Sequence, residues 1–78
     1  MDEQKVFRAF GRVLRDARRE RGVSQERLAL DCGFDRTFVS RMERGLTQPS
    51  LMSLLRLAKA LDMKATVLIA KVESAKLR

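Results

Sequence analysis

The sequence predicts an all-α fold in which five short helices form one compact domain over residues 1–78. Three observations support this prediction. Apolar residues recur every three or four positions along successive segments, which is the spacing of a helix face. Glycines and helix-capping residues separate these segments. A chain of 78 residues is also long enough for only one modest hydrophobic core.

The first helix is predicted from about Glu3 to Arg21, and Gly22 ends it. Its apolar residues follow helical spacing. They are Phe7, Phe10, Leu14 and Ala17, with Val6 and Val13 beside them.

Two shorter helices follow, each with its own cap. Ser24 is a good N-cap for a helix from about Gln25 to Cys32, because its hydroxyl can accept a bond from a free backbone amide. Gly33 can take the positive φ that ends a helix, and Asp35 caps the next one, from Arg36 to Arg44.

The junction of helices two and three is predicted to be a tight turn with a steep crossing angle. Gly33 permits the turn, and the small side chain of Ala29 lets the two backbones approach each other. The interior that they share is expected to contain Leu28, Cys32, Phe34, Val39 and Met42.

The fourth helix is predicted to begin after a loop and a serine cap. Gly45 ends helix three, and Ser50 caps the new helix. One apolar face is expected on it, formed by Leu51, Leu54, Leu55, Ala58 and Leu61.

The segment at about 65–76 has two interpretations. As a helix, it aligns Ala65, Leu68 and Val72 in one stripe, with Thr66 as a cap. As a strand, it uses the β-branched run from Thr66 to Ile69. The helix is favoured, because the segment continues into alanine, lysine and glutamate, which are good helix formers.

Charge and composition point to an anionic partner and away from catalysis. Lysine and arginine number 17 against 10 acidic residues, which gives a net charge of +7. Histidine is absent and the lone Cys32 lies on an apolar stripe, so no catalytic residue, metal or cofactor is expected. A single cysteine and no long apolar run predict a soluble protein of the reducing cytoplasm, with no membrane partner. No ligand-sensing domain is evident, so no small-molecule ligand is expected.

One face of helix three is cationic and rich in hydrogen-bonding groups. Its members recur at spacings that share a face: Arg36, Thr37, Ser40, Arg41 and Arg44. A face of this kind is often simply solvated. Directly after a tight turn, however, it suits an element that enters the DNA major groove, where arginine bonds guanine O6 and N7.

The segment from Gln25 to Arg44 resembles the helix-turn-helix of the phage repressor and Cro type, the XRE family. "FGRVLRDARRERGVSQERLA", "DRTFVSRMERG" and "PSLMSLLRLAKAL" are similar to family patterns in order and spacing, over about residues 7 to 73. Within the family, "FDRTFVSRMERG" looks most like restriction-modification controller proteins and related stand-alone regulators. The resemblance implies a lambda-repressor-like DNA-binding domain with its helix-turn-helix at about 25–44.

The resemblance also implies roles for individual residues. Base edges would be contacted by Arg36, Thr37, Ser40 and Arg41, and phosphates by Gln25, Arg44, Arg15 and Arg27. Arg18 and Glu43 match a family pair that orients the recognition helix. Phe38 either packs against helix one or touches a thymine methyl, and packing is favoured. Asp62 stands where many relatives have glycine.

The sequence therefore predicts a transcriptional regulator that binds a palindromic operator as a homodimer and acts by occupying DNA rather than by performing chemistry. It is expected to regulate its own gene, as a restriction-modification controller does. The dimer interface is placed on the C-terminal segment, at Val67, Leu68, Ile69 and Val72. The alternative is an antitoxin whose main partner is a toxin protein, and a basic membrane-surface helix is disfavoured because the cations of helix one are not segregated.

Overall fold

The computed structural model describes residues 1–76, which form five α-helices and no strand. The helices are α1 (Glu3–Arg21), α2 (Gln25–Cys32), α3 (Arg36–Glu43), α4 (Leu51–Ala60) and α5 (Ala65–Lys76). The all-α prediction is confirmed, and the C-terminal segment is a helix rather than a strand. Helix α1 packs on α3 and α5, α2 packs on α3 and α4, and α4 packs on α5.

The helix ends follow the local signals that the sequence offers. Ser24 Oγ accepts a bond from the Arg27 amide at 3.0 Å, and Asp35 Oδ1 accepts one from the Thr37 amide at 3.1 Å. Gly33 ends α2 in the left-handed region at φ 73°. Two details differ from the prediction. Helix α3 ends one residue early, with Arg44 as its cap, and Thr66 lies inside α5, which already begins at Ala65.

The core lies where all five helices converge. Its fully buried large side chains come from every helix: Leu14, Leu28, Val39, Met42, Leu57 and Leu68. Leu68 is therefore a core residue, and its expected place in a subunit interface is wrong. The predicted apolar face of α4 also needs correction, because Leu51 and Leu55 are exposed while Leu57 is buried.

Helix α1 and the end of α3 approach each other almost backbone to backbone. A Cβ atom placed on Gly11 of α1 would lie 2.5 Å from the Met42 carbonyl oxygen and 2.6 Å from that of Glu43. Only glycine fits such a distance. The position of α3 is thus fixed by direct contact with α1.

Candidate nucleic-acid interface

The two helices α2 and α3 pack against each other around a short turn. After Gly33, the Phe34 amide donates to the Ala29 carbonyl at 2.8 Å, which closes the end of α2. Ala29 is almost fully buried, and Leu28 and Val39 pack beside it in the core. This geometry is the predicted helix-turn-helix, and its interior leaves one side of α3 free.

The free side of α3 carries the residues that were predicted to contact bases. Arg36, Thr37 and Arg41 are exposed, and Ser40 is half-buried. At 3.6 residues per turn, these positions lie opposite the buried Val39 and Met42. The structure therefore brings the four polar side chains onto one solvent-facing surface.

Glu43 is the one buried charged residue among residues 1–75, and it joins three helices. Its side chain is 0% exposed. Arg18 of α1 donates through Nε to Oε2 at 2.6 Å and through Nη2 to Oε1 at 3.0 Å. Gln25 of α2 donates through Nε2 to Oε1 at 2.9 Å. The implied Arg18–Glu43 pair is present, and it extends to the start of α2.

The electrostatics of Glu43 result from two opposing effects. Burial alone raises the pKa of its carboxyl, whereas hydrogen bonds from Arg18 and Gln25 and the charges of Arg18 and Arg15 lower it. The net pKa lies below its ordinary value, so the carboxylate is ionised at neutral pH. The hydrogen bond with Glu43 in turn raises the pKa of Arg18.

The residues that were predicted to contact phosphates have different surroundings. Gln25 and Arg15 are both drawn toward Glu43, since Arg15 Nε lies 3.7 Å from Oε1 and Arg15 Nη2 donates to the Glu43 carbonyl at 3.4 Å. Arg27 pairs with Asp31 one turn away at 3.2 Å. Arg44 is exposed at the end of α3. The contacts of Gln25 and Arg15 with Glu43 are tertiary, and no local pattern in the sequence announced them.

The start of α2 opens onto a shallow cleft of about 380 Å³. Ser24, Gln25 and Glu26 line it together with Arg36 from the start of α3. Unbonded amides at a helix N-terminus and a neighbouring arginine favour an anion. The cleft thus places a suitable phosphate position beside the first base-contacting candidate.

Phe38 lies at the border between the core and the free side of α3. It is half-buried against the core, and its ring meets Phe34 edge to face at a centroid distance of 5.2 Å. The packing interpretation is therefore supported, with an aromatic neighbour in the turn.

Helix α5 presents only some of the apolar residues that were expected at a dimer interface. Val67 and Ile69 remain 44% and 43% exposed, and Val72 is half-buried. Exposed apolar side chains also occur on α4, at Leu51, Met52 and Leu55. The four-residue prediction is thus divided between surface and core, because the crossing angle of α5 determines which side of the helix is covered.

Residues 1–76 contain no helix that is both long and apolar enough to cross a membrane. Nor do three or more potential ligands from histidine, cysteine, aspartate and glutamate cluster as a metal site in this part of the chain.

Comparison of the sequence with known proteins identifies the family. Residues 14–68 match the profile of the family described as helix-turn-helix. A hypothetical transcription factor of Neisseria meningitidis is 38% identical over 68 residues, which cover 87% of this chain and 64% of that relative. The control protein C.BamHI of Bacillus amyloliquefaciens is 38% identical over 56 residues, which cover 70% of this chain and 69% of that protein.

Solved structures give the same result. The restriction-modification controller protein C.AhdI from Aeromonas hydrophila superposes with a TM-score of 0.77 at 44% identity, covering 80% of this chain and 94% of that one. The controller protein C.Esp1396I, solved as a tetramer with its natural 35 base-pair operator, superposes with a TM-score of 0.83 at 27% identity over 94% of this chain and 96% of that one. The chain therefore belongs to the helix-turn-helix family of XRE-type DNA-binding regulators, as its motif predicted.

Proposed function

We propose that this protein is a sequence-specific transcriptional regulator that binds a palindromic operator as a homodimer, in the manner of a restriction-modification controller. The observation that carries the proposal is the free polar side of α3, held on a rigid helix-turn-helix. Three exposed side chains and half-buried Ser40 face solvent there, while the opposite side of the helix is locked in the core. On this proposal the protein acts in the cytoplasm, where it meets its DNA.

Base recognition is assigned to the free side of α3. Arg36 and Arg41 have the planar guanidinium that bonds guanine O6 and N7 together, whereas Thr37 and Ser40 form single hydrogen bonds with several bases. The arginines therefore supply most of the discrimination, and the hydroxyls adjust it.

Phosphate contacts position the helix without reading sequence. At the start of α2, one N–H of the Gln25 side-chain amide donates to Glu43, which leaves its second N–H and the backbone amides of the helix terminus as phosphate donors. Gln25 thus holds the terminus in place and remains a phosphate candidate. Arg44, Arg15 and Arg27 are the charged candidates, and Arg27 must leave its exposed pair with Asp31 to take part.

A homodimer is proposed because one module rarely selects one site in a genome. A single domain of this kind buries only about 600–1,000 Å² on DNA. Exposed Val67 and Ile69 on α5, with half-buried Val72, offer an apolar surface for a second copy. Two recognition helices related by a two-fold axis would meet successive major grooves, with half-sites about 34 Å apart. C.Esp1396I forms a tetramer on its 35 base-pair operator, which supports recognition by more than one subunit.

Control of the protein's own gene is part of the same proposal. Regulation would depend on the concentration of the protein, because occupancy of a promoter near its own gene rises with the amount of dimer. The antitoxin alternative receives no support from these relatives, whose names describe transcription factors and controllers.

Selection of bound fragments from a random duplex library tests the function directly. We expect one enriched imperfect palindrome. Arg41→Ala should then weaken binding to that site by about 1–3 kcal/mol, or roughly 5- to 150-fold, and leave binding to unrelated duplex nearly unchanged. Arg19→Ala removes the same charge from an exposed position on α1 and serves as the control. Equal weakening on both duplexes would contradict base reading by Arg41.

The dimer is tested at the exposed residues of α5, not at Leu68, whose replacement would disrupt the core. Val67→Asp with Ile69→Asp should convert a dimer into a folded monomer by mass in solution and abolish tight operator binding. A dimer that persists in this variant would place the interface elsewhere, and an association with a toxin in place of DNA would favour the antitoxin alternative.

A further inference from the structure

A second arginine-rich surface lies where α1 meets the end of α3. Arg8, Arg12 and Arg15 of α1 meet Arg44 around a cleft of about 280 Å³, with Glu43 at its base. We call these four arginines the basic cleft. Neither Arg8 nor Arg12 was singled out by the sequence, because cations are spread along the whole of α1.

The basic cleft carries an excess of positive charge that the protein itself does not neutralise. The carboxylate at its base, Glu43, is bonded to Arg18 and Gln25 and also pairs with Arg15 of the cleft at 3.7 Å, so the excess charge belongs to the other three arginines. Among the residues that the structure describes, no carboxylate oxygen lies within 4 Å of a guanidinium nitrogen of Arg8, Arg12 or Arg44.

The spacing of these arginines also opposes helix stability. Arg8 and Arg12 are separated by four residues, and Arg12 and Arg15 by three, so each pair shares a face of α1. Like charges at these spacings destabilise a helix. An anion bound between them would relieve the repulsion.

The position of the basic cleft suits a phosphate on the DNA backbone. Arg44 directly follows α3, and the stem of Arg8 lies over Gly45, where an added Cβ would meet Arg8 Cγ at 2.8 Å. Helix α3 has eight residues and is about 12 Å long, close to the width of a major groove. The cleft at the start of α2 borders the first residue of α3, Arg36, and the basic cleft borders its end.

We propose that the basic cleft binds a DNA phosphate across the major groove from the one at the start of α2, and that Arg8 and Arg12 are phosphate-contacting residues. This inference rests on the proposed function. Guanidinium groups match phosphate oxygens in paired hydrogen bonds, so a cleft lined by arginines suits a phosphodiester of the DNA backbone. The recognition helix is then clamped to both strands that border the groove.

Arg12→Gln tests the proposal on duplex of unrelated sequence, where only backbone contacts count. Each phosphate that the protein neutralises adds about 0.9 to the slope of log affinity against log salt. We therefore expect weaker binding at low salt and a slope that is shallower by about 0.9 for each phosphate that the variant no longer neutralises. The ratio of the association constants of wild type and variant should fall about threefold for each such phosphate when salt rises from about 50 to about 200 mM.

Two variants serve as controls. Arg19→Gln removes one charge from an exposed site of the same helix outside the basic cleft, so it reports the effect of net charge alone. Arg12→Lys keeps the charge and should keep the salt slope.

Arg8→Gln is a second test variant, which retains the stem over Gly45 and should behave as Arg12→Gln does. Thermal unfolding should show that Arg12→Gln is at least as stable as wild type, because a repulsion has been removed.

The proposal is overturned if Arg12→Gln and Arg8→Gln match Arg19→Gln in both affinity and salt slope. It is also overturned if their weaker binding is confined to the selected palindrome, since a backbone contact acts on every duplex. In either case a wild-type protein that still selects a palindrome leaves the proposed function standing. Failure of wild type to prefer any sequence would instead refute the proposed function.

Discussion

Replacing Arg18 or Glu43 by alanine separates a buried ion pair and leaves the other partner without its main contact. The two side chains are 11% and 0% exposed, and two hydrogen bonds join them. Breaking one side of such a pair typically costs about 3–5 kcal/mol, because a charge remains buried and uncompensated. A domain of 78 residues has a free energy of unfolding of only about 4–12 kcal/mol.

The two single changes should differ in a way that the structure determines. In Arg18→Ala, the Glu43 carboxylate keeps the Gln25 amide at 2.9 Å and the nearby Arg15, so we expect a destabilisation near the lower end of that range. In Glu43→Ala, Arg18 keeps its bond to the Val23 carbonyl at 2.9 Å and some contact with water. Because Gln25 also loses its acceptor there, the destabilisation should be at least as large.

The double change removes both charges together. We expect it to destabilise the protein by less than the sum of the single changes, with a coupling of about 0.5–3 kcal/mol. Urea unfolding followed by circular dichroism at neutral pH supplies the three free energies, and each decrease of about 1 kcal/mol should lower Tm by about 4–8 °C. If an alanine variant does not fold, Arg18→Gln and Glu43→Gln complete a milder cycle. Additive effects within about 0.5 kcal/mol would refute the coupling of this pair.

Three further outcomes follow from the geometry. The lowered pKa of Glu43 means that its contribution to stability is present at neutral pH and is lost as pH falls below 4.5, its ordinary value. The difference in free energy of unfolding between wild type and Glu43→Gln should therefore narrow in acid. A difference that stays constant from pH 7 to 3 would contradict this. Asp62→Gly should raise Tm by a few degrees, because residue 62 sits at φ 55°, where a side chain costs about 1–2 kcal/mol. Asp62→Ala should lower Tm, because alanine lacks the short polar side chain that makes aspartate tolerable in this conformation. Equal melting points for the three proteins would exclude backbone strain as the cause. Gly11→Ala should lower the free energy of unfolding by about 1–3 kcal/mol, since the new Cβ would lie 2.5 Å from a carbonyl oxygen. At an open helix position, replacing glycine by alanine usually raises the free energy of unfolding by about 1 kcal/mol. Such an increase here would show that α1 can move away from α3.

The parts of the fold that sequence predicts well are those with local causes. Ser24, Gly33 and Asp35 mark helix ends because a cap or a positive φ is a property of a few neighbouring residues. The polar side of α3 is likewise set by spacing along one helix. These signals, with the family resemblance, were enough for the all-α fold and the helix-turn-helix.

The parts that sequence predicts poorly depend on how helices cross. Leu68 belongs to the same apolar run as Val67 and Ile69, and only the packing of α5 buries the first and exposes the others. The link from Gln25 to Glu43 spans 18 residues and has no local signature. The close approach at Gly11 also has no signal in the sequence, because a glycine within a helical pattern indicates a position of low helix propensity rather than a tertiary contact.

The close packing of α1 on α3 at Gly11 also bears on the kinetics of binding. A helix held by backbone contact and by the Glu43 bonds has one orientation before DNA arrives, so little conformational entropy remains to be lost on association. Encounter should then be governed by long-range attraction between a chain of net charge +7 and the duplex, and association should be fast and sensitive to ionic strength. Differences among operator sequences would appear chiefly in how long each complex lasts.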